Sequence, residues 1–177
     1  KEWNKSLFLV QQAIKQFPND NRFLRLKNYI DFFQQEKNTV TFQVEGTPIK
    51  MIMTGKLLDI EATLINGSFF EPEVLNAILN NFSGGVFLDV GASTGIYTLI
   101  SSVKAQRVIP IEINPVSIEV IKKSVALNNL TNVDLSYLGF PLGSGTGKFG
   151  LPPNRMDLSS HLVQGKGDGF MRALSLD

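Results

Sequence analysis

A strand, a tight turn and the start of a helix follow one another within residues 86–99, and this stretch constrains the fold most. Residues 86–90 are bulky and apolar apart from Asp89, which predicts a strand buried on both faces. Gly91 stands where the backbone must turn sharply and where a ligand can approach closely. A helix is predicted from about Gly95, and two polar residues before it are candidate caps, Ser93 and Thr94.

The same alternation continues to residue 138. Residues 108–112 are a second short apolar run, and Glu112 ends this run as Asp89 ends the first. A second helix is predicted from Asn114-Pro115, and residues 133–138 are predicted to form a third strand. The order β-α-β-α-β is typical of a right-handed parallel sheet covered by helices. The predicted fold class is therefore α/β, a partial Rossmann-like doubly wound parallel sheet.

The first 85 residues precede that sheet and have a different character. Residues 5–36 predict two helices broken at Pro18, which resemble one unit of a tetratricopeptide array or form an ordinary helical hairpin. Residues 39–53 alternate in polarity and predict a β-hairpin that turns at Gly46-Thr47-Pro48, whereas residues 57–65 are ambiguous. A further helix is predicted from Pro72 to about residue 82. We expect a helical hairpin appendage at 1–38 and the main domain at 39–177.

Composition removes several classes of function. The chain has no cysteine and one histidine, His161, which excludes disulfides, thiol catalysis and cysteine or multi-histidine metal sites. A net charge of +1 without a basic block argues against a nucleic-acid partner. No apolar run is long enough for a membrane span, and the first residues do not resemble a signal peptide. A cytoplasmic location is the expectation, and the missing initiating Met predicts a processed or shortened chain.

The two strand-end acids indicate where a ligand binds. Asp89 and Glu112 are separated by 23 positions and are predicted at the carboxyl ends of neighbouring parallel strands. A carboxylate at the end of the second strand can accept hydrogen bonds from both hydroxyls of a ribose. The alternative for Glu112 is a solvated charge at a strand end.

The spacing of the glycines narrows the choice of nucleoside ligand. Ser93 stands where a dinucleotide fingerprint needs its middle glycine, and no G-x-x-x-x-G-K-[ST] run is present. No lysine or arginine lies close in sequence to this loop. We therefore expect a zwitterionic or neutral ligand rather than a polyphosphate.

The run Asp89-Val90-Gly91-Ala92-Ser93-Thr94-Gly95 resembles the D-x-G-x-x-x-G motif of class I S-adenosylmethionine-dependent methyltransferases. The longer region at 65–150 resembles the FkbM-type methyltransferase family. The motif itself is extended by Phe87-Leu88 before it and by Gly95-Ile96-Tyr97-Thr98-Leu99 at its end. Four further stretches carry this resemblance: Gly67-Ser68-Phe69-Phe70-Glu71, Ile111-Glu112-Ile113-Asn114-Pro115, Asn128-Asn129-Leu130 and Leu142-Gly143. The resemblance implies that residues 39–177 are a methyltransferase domain whose cofactor is S-adenosylmethionine.

The resemblance also implies a role for each matching residue. Asp89 would lie near the amino group of the cofactor, Glu112 would hold the ribose, and Glu71 would close over the site. Ile113 would lie beside the adenine, with Gly139 and Phe140 at its edge. The loop under the methionine part would consist of Gly91, Ala92, Ser93, Thr94 and Gly95. For Glu71 the alternative is a helix-entry acid.

The implied reaction is O-methylation of a small-molecule acceptor, namely a sugar, a lipid or a secondary metabolite. Placing the acceptor in line with the activated methyl group supplies much of the rate. A base would assist a hydroxyl nucleophile, but the sequence does not identify one, and His161, Asp157 and Asp168 are weak candidates. The alternatives are an inactive cofactor-binding or interaction domain, another nucleotide-binding α/β domain, and a helical-repeat interaction protein.

The last residues predict an incomplete sheet. Residues 139–177 are rich in glycine, serine and proline, with short strands predicted at 148–151, 159–163 and 173–176. The family that the chain resembles continues past Leu176-Asp177 into another strand, so we expect a C-terminally truncated domain. An open sheet edge predicts self-association as a partner interaction.

Overall fold

The computed structural model describes residues 2–55 and 58–142, together with four two-residue strands after them. His161, Asp157, Asp168 and the predicted strand at 173–176 lie outside the described residues. Of the strands predicted at 148–151 and 159–163, the structure describes residues 149–150 and residue 163. The described strands are β5 (Thr146–Gly147), β6 (Phe149–Gly150), β7 (Val163–Gln164) and β8 (Met171–Arg172), with β5 antiparallel to β8 and β6 antiparallel to β7.

The predicted N-terminal helix pair is confirmed. Helix α1 spans Glu2–Gln16 and helix α2 spans Asn21–Gln34. Asp20 caps α2, since its carboxylate accepts a hydrogen bond from the Arg22 N–H at 3.0 Å. Helix α2 packs against α3 (Leu58–Ile65), so the described part of the ambiguous stretch at 57–65 is a helix.

The predicted hairpin is also confirmed, with a corrected turn. Strands β1 (Thr39–Val44) and β2 (Thr47–Ile52) are antiparallel, and Val44 pairs with Thr47. The turn residues are therefore Glu45 and Gly46, both with positive φ (48° and 82°), as a two-residue hairpin turn requires. The sequence predicts a turn that begins one residue later, at Gly46.

The central sheet pairs strands β3 (Val86–Val90) and β4 (Arg107–Ile111) in parallel, with Asp89 in register with Pro110. Three helices accompany them: α4 (Pro72–Asn81), α5 (Ile96–Ser101) and α6 (Pro115–Leu127). Residues of α4, α5 and α6 share one apolar core with β2 and α3. The fold is therefore mixed α/β, with a helix pair, an antiparallel hairpin and a partial Rossmann-like parallel sheet.

The prediction that β3 is buried on both faces is wrong for the described part of the chain. Phe87 and Asp89 face the core, whereas the side chains of Val86, Leu88 and Val90 are 59%, 38% and 56% exposed. Right-handed crossovers that move in one direction along a sheet place their helices on one face. The helices that follow β3 and β4 therefore cover one side of the strand pair.

The prediction of a third strand at 133–138 is wrong as well. Val133 forms a single parallel bridge with Val108, and the chain then enters a 3₁₀ turn at Leu135–Tyr137. Continued pairing would need a backbone N–H from Pro110, which has none. The side chain of Asp134 also accepts from the Ser136 N–H at 3.0 Å, which stabilises the turn instead.

Asp134 links this turn to β4. Its carboxylate pairs with the guanidinium of Arg107. Hydrogen bonds from Ser136, and then from Arg107, lower the pKa of Asp134 to about 2. The turn is therefore held in place by a charged group that stays ionised over most of the pH range.

Within the described part of the chain, no helix is both long enough and apolar enough to cross a membrane.

Candidate functional site

The loop between β3 and α5 folds back onto the end of β4. The backbone N–H groups of Gly91 and Ala92 both donate to the carbonyl oxygen of Ile111, at 2.9 and 3.1 Å. Gly95 has φ +78°, and a Cβ built on it would lie 2.7 Å from Cγ1 of Ile121. Glycine is therefore needed at position 95 for both conformation and space, because α6 packs directly against the loop.

Glu112 is the residue that connects the two strand ends. Its Oε1 accepts from the N–H groups of Ile113 and Asn114, both at 2.7 Å, and its Oε2 accepts from the N–H of Ser93 at 2.7 Å. Since a carboxylate has about four acceptor positions, one position on Oε2 is left. The backbone thus fixes the orientation of this carboxylate, and its capacity for a ligand is smaller than that of a solvated strand-end acid.

Asp89 lies deeper, and it is only 7% exposed. The hydroxyl of Thr98, a fully buried residue of α5, donates to its Oδ2 at 2.5 Å. Burial raises the pKa of Asp89, the hydrogen bonds from Thr98 oppose this rise, and the negative charge of Glu112 adds to it. The charge of Glu112 at the end of β4 therefore acts on the carboxyl group of Asp89 in β3.

The predicted caps of α5 are wrong. The N-cap is Gly95, and no side chain caps the helix. The buried hydroxyls of Ser93 and Thr94 have no hydrogen-bond partner among the described residues. Ser93 instead contributes its backbone: with φ +52° it directs its N–H to Glu112.

Glu71 reaches the site region through Tyr97. Glu71 precedes α4 with φ +51° and makes no capping hydrogen bond through its side chain. The phenol of Tyr97 donates to Oε2 of Glu71 at 3.0 Å and approaches the carbonyl oxygen of Phe70 at 3.4 Å. Burial raises the pKa of Tyr97, and the hydrogen bond to Glu71 raises it further. The helix-entry alternative for Glu71 thus describes its position, while its side-chain contact is with α5.

The remaining predicted residues lie on the other side of Glu112. The N–H of Gly139 donates to the carbonyl oxygen of Glu112 at 2.7 Å, which places the turn at 139 beside the end of β4. Ile113 is partly buried, and Phe140 is exposed. Ile113 follows Glu112 and Phe140 follows Gly139 in the chain, so both residues lie near the end of β4.

The structure thus brings one group of predicted residues into hydrogen-bonded contact, while Glu71 contacts Tyr97 and Asp89 contacts Thr98. Residues 91–93, Glu112, Ile113 and Gly139 form the contiguous group. The sequence predicts no role for Thr98, although this residue belongs to the stretch 95–99 that carries the family resemblance and lies nine residues after Asp89, one turn into the predicted helix. Among the described residues, neither Asp89 nor Glu112 has a lysine or arginine ion-pair partner. Such a site suits a ligand that brings hydrogen-bond donors and positive charge.

Comparisons with known proteins add little to this geometry. No protein-family model matches the sequence, and a comparison with curated proteins finds no match. The solved structure of wild-type Trm5b from Pyrococcus abyssi is similar over 55% of this chain, with 20% sequence identity and a TM-score of 0.36. The matched region is 27% of the Trm5b chain. A similarity of this size establishes neither a family nor an activity, and the FkbM-type resemblance stays a prediction.

Proposed function

We propose that this chain binds S-adenosylmethionine at the ends of β3 and β4 and belongs to an FkbM-type O-methyltransferase. The observation that carries the proposal is the pair of acids, Asp89 and Glu112, on either side of a glycine turn and without a cationic partner among the described residues. S-adenosylmethionine carries a ribose, an ammonium and a sulfonium, and no phosphate. Its donors and positive charges match the acceptors that these acids provide.

The residues present fit the cofactor with one adjustment. Glu112 has one acceptor position left on Oε2, enough for one ribose hydroxyl while its three backbone hydrogen bonds persist. A second ribose hydrogen bond requires the carboxylate to give up one backbone donor. Ile113, Gly139 and Phe140 would then border the adenine.

The methionine end of the cofactor is assigned to the deeper acid. Asp89 would accept from the ammonium, and the turn of residues 91–95 would pass under the chain of the amino acid. Glu71, held by Tyr97, would lie at the entrance to the site. When bound, S-adenosylmethionine supplies an activated methyl group, and the acceptor we propose is a hydroxyl of a sugar, a lipid or a secondary metabolite.

A second candidate function rests on a separate observation. The exposed apolar face of β3, formed by Val86, Leu88 and Val90, is unusual for a parallel strand. A domain that binds the cofactor and serves assembly rather than methyl transfer would use such a face. Methyl transfer and assembly differ in whether a methylated product is formed.

Isothermal titration calorimetry with S-adenosylmethionine and with its demethylated product, S-adenosylhomocysteine, tests the proposal. We expect binding by the wild type and a loss of about 1–3 kcal/mol for Glu112→Gln, which removes the charge but keeps one acceptor oxygen. Glu119→Gln is the matched control, because it removes an exposed acid of α6 that pairs with Lys123 away from the site. A folded wild type that releases no heat with either ligand refutes the proposed function.

A further inference from the structure

Asp89 is a buried carboxylate and therefore needs hydrogen bonds or opposite charges around it. It points into the core from β3 and is almost fully buried. Burying an ionised carboxylate is unfavourable unless hydrogen bonds or opposite charges compensate for the lost water. No described residue forms an ion pair with it.

Thr98 provides the described hydrogen bond. It is the third residue of α5, it is fully buried, and its Oγ1 lies 2.5 Å from Oδ2 of Asp89. A hydroxyl that donates to a carboxylate in a buried environment fixes the rotamer of both side chains. The Thr98 hydroxyl thus engages Oδ2, and no described side chain donates to Oδ1 of Asp89.

We propose that Thr98 is a positioning residue of the cofactor site, whose hydroxyl orients the carboxylate of Asp89 so that Oδ1 can accept from the ammonium of S-adenosylmethionine. This inference rests on the proposed function. Thr98 itself touches no ligand, and its effect passes entirely through Asp89.

The electrostatic surroundings give Thr98 a second effect. Burial raises the pKa of Asp89, and so does the charge of Glu112 from β4, while Thr98 lowers it. Tyr97 of α5 is the other titratable group that interacts with Asp89, and it stays neutral because its pKa is raised. Removing the Thr98 hydroxyl should therefore raise the pKa of Asp89 and leave less of it ionised to bind an ammonium.

Thr98→Val is the first variant, because it removes the hydroxyl and keeps the shape. Thr98→Ser is its matched control, because it keeps the hydroxyl. The pKa of Asp89 is measured in the ligand-free protein by carbon-detected NMR of the labelled carboxyl. The affinity for S-adenosylmethionine is measured by calorimetry from pH 5 to pH 8.

For Thr98→Val we expect a higher pKa of Asp89 and an affinity at neutral pH that is at least about tenfold weaker, in line with the loss of a hydrogen bond to a charged group. The fall in affinity on acidification should begin at a higher pH than in the wild type. Thr98→Ser should restore both quantities. A purely structural role would lower stability without moving the pH profile.

The outcomes separate the two proposals. A wild type that does not bind the cofactor refutes the proposed function, and the NMR titration still decides whether Thr98 controls Asp89. Binding by the wild type together with an unchanged Asp89 pKa and pH profile in Thr98→Val overturns the positioning role. Should Thr98→Val not fold, Thr98→Ala and Thr98→Ser form the same comparison with smaller side chains, and equal pH profiles overturn it.

Discussion

Glu61 is a fully buried carboxylate outside the proposed site, and its removal should strongly destabilise the fold. Its Oε1 accepts from the N–H of Thr54 at 2.5 Å and from the Thr54 hydroxyl at 2.9 Å. Its Oε2 accepts from the N–H of Gly55 at 2.9 Å and from the Tyr29 hydroxyl at 3.2 Å. These contacts join α2, the end of β2 and α3 at one point.

The size of the effect follows from what Glu61→Leu leaves behind. The Tyr29 hydroxyl is buried and loses its hydrogen bond to Glu61, which costs about 1–3 kcal/mol. The donors of Thr54 and Gly55 are only partly buried, so each loss lies near the low end of that range, at about 1 kcal/mol. The favourable removal of a buried charge offsets part of the sum. We expect a net loss of about 3 kcal/mol, or roughly 6–12 °C in Tm for a chain of this size.

Urea denaturation followed by far-ultraviolet circular dichroism measures this loss. Tyr29→Phe in the Glu61→Leu background provides the control, because it removes the hydroxyl that donates to Glu61 in the wild type. The double variant should recover about 1 kcal/mol relative to Glu61→Leu alone. A Glu61→Leu variant within about 0.5 kcal/mol of the wild type would refute the reasoning, because this is the range of ordinary surface substitutions.

Three further predictions concern the sheet and the loop. Asp89→Asn should stabilise the fold by about 1 kcal/mol at pH 7 and weaken cofactor binding. Because the folded-state pKa of Asp89 is raised, this gain in stability should shrink at lower pH, where Asp89 of the wild type becomes protonated; urea midpoints measured as a function of pH test this. Asp134→Asn should lower the free energy of unfolding by about 0.5–1 kcal/mol at pH 7. Because the folded-state pKa of Asp134 is lowered to about 2, its carboxylate should contribute fully to stability above about pH 4 and progressively less as the pH drops towards 2. Urea denaturation at a series of acidic pH values measures this loss. Gly95→Ala should cost about 3 kcal/mol of stability in chemical denaturation, because the new Cβ would meet Ile121. Gly46→Ala should cost about 1 kcal/mol, because Gly46 has a similar φ of +82° but lies in open space. Equal losses for the two variants would contradict the steric argument.

The strand, turn and helix at 86–101 could be predicted from the sequence because the signals are local. An apolar run, a glycine where φ is positive and the return of apolar residues at helical spacing place β3 and α5 nearly where they lie. The exposure of Val86, Leu88 and Val90 could not be predicted in this way. It depends on which face the crossover helices cover, and that is a property of strand order.

The third strand shows how one residue outweighs a local propensity. Residues 133–138 alternate in a way that favours a strand, but a strand also needs a partner with donors. Pro110 withholds the next donor on β4, and Asp134 satisfies the Ser136 N–H by itself. The proline was visible in the sequence, and its consequence depended on the register of β4 with its neighbour.

The positions of the two strand-end acids could be predicted from the sequence, whereas their hydrogen bonds could not. That Asp89 and Glu112 lie at adjacent strand ends follows from the order of the strands. The three backbone hydrogen bonds to Glu112 depend on the geometry of the loops. The hydrogen bond from Thr98 to Asp89 depends on which side of α5 faces β3. Contacts of this kind join residues that have no periodic relation in the sequence.

Three carboxylates of this chain, those of Glu61, Glu112 and Asp89, differ in the number of hydrogen bonds that they accept from described residues. The carboxylate with the most hydrogen bonds is the one to which we assign a structural role. Glu61 accepts four described hydrogen bonds, and we regard it as purely structural. Glu112 accepts three, and the described side-chain hydrogen bond to Asp89 comes from Thr98 alone. A carboxylate keeps about four acceptor positions wherever it is buried, so unused positions in a buried acid lower stability unless a ligand fills them. Glu61→Leu removes a fully hydrogen-bonded carboxylate and should lower stability, whereas Asp89→Asn removes the charge of a carboxylate with fewer described hydrogen bonds and should raise it. The two opposite changes therefore test the same argument.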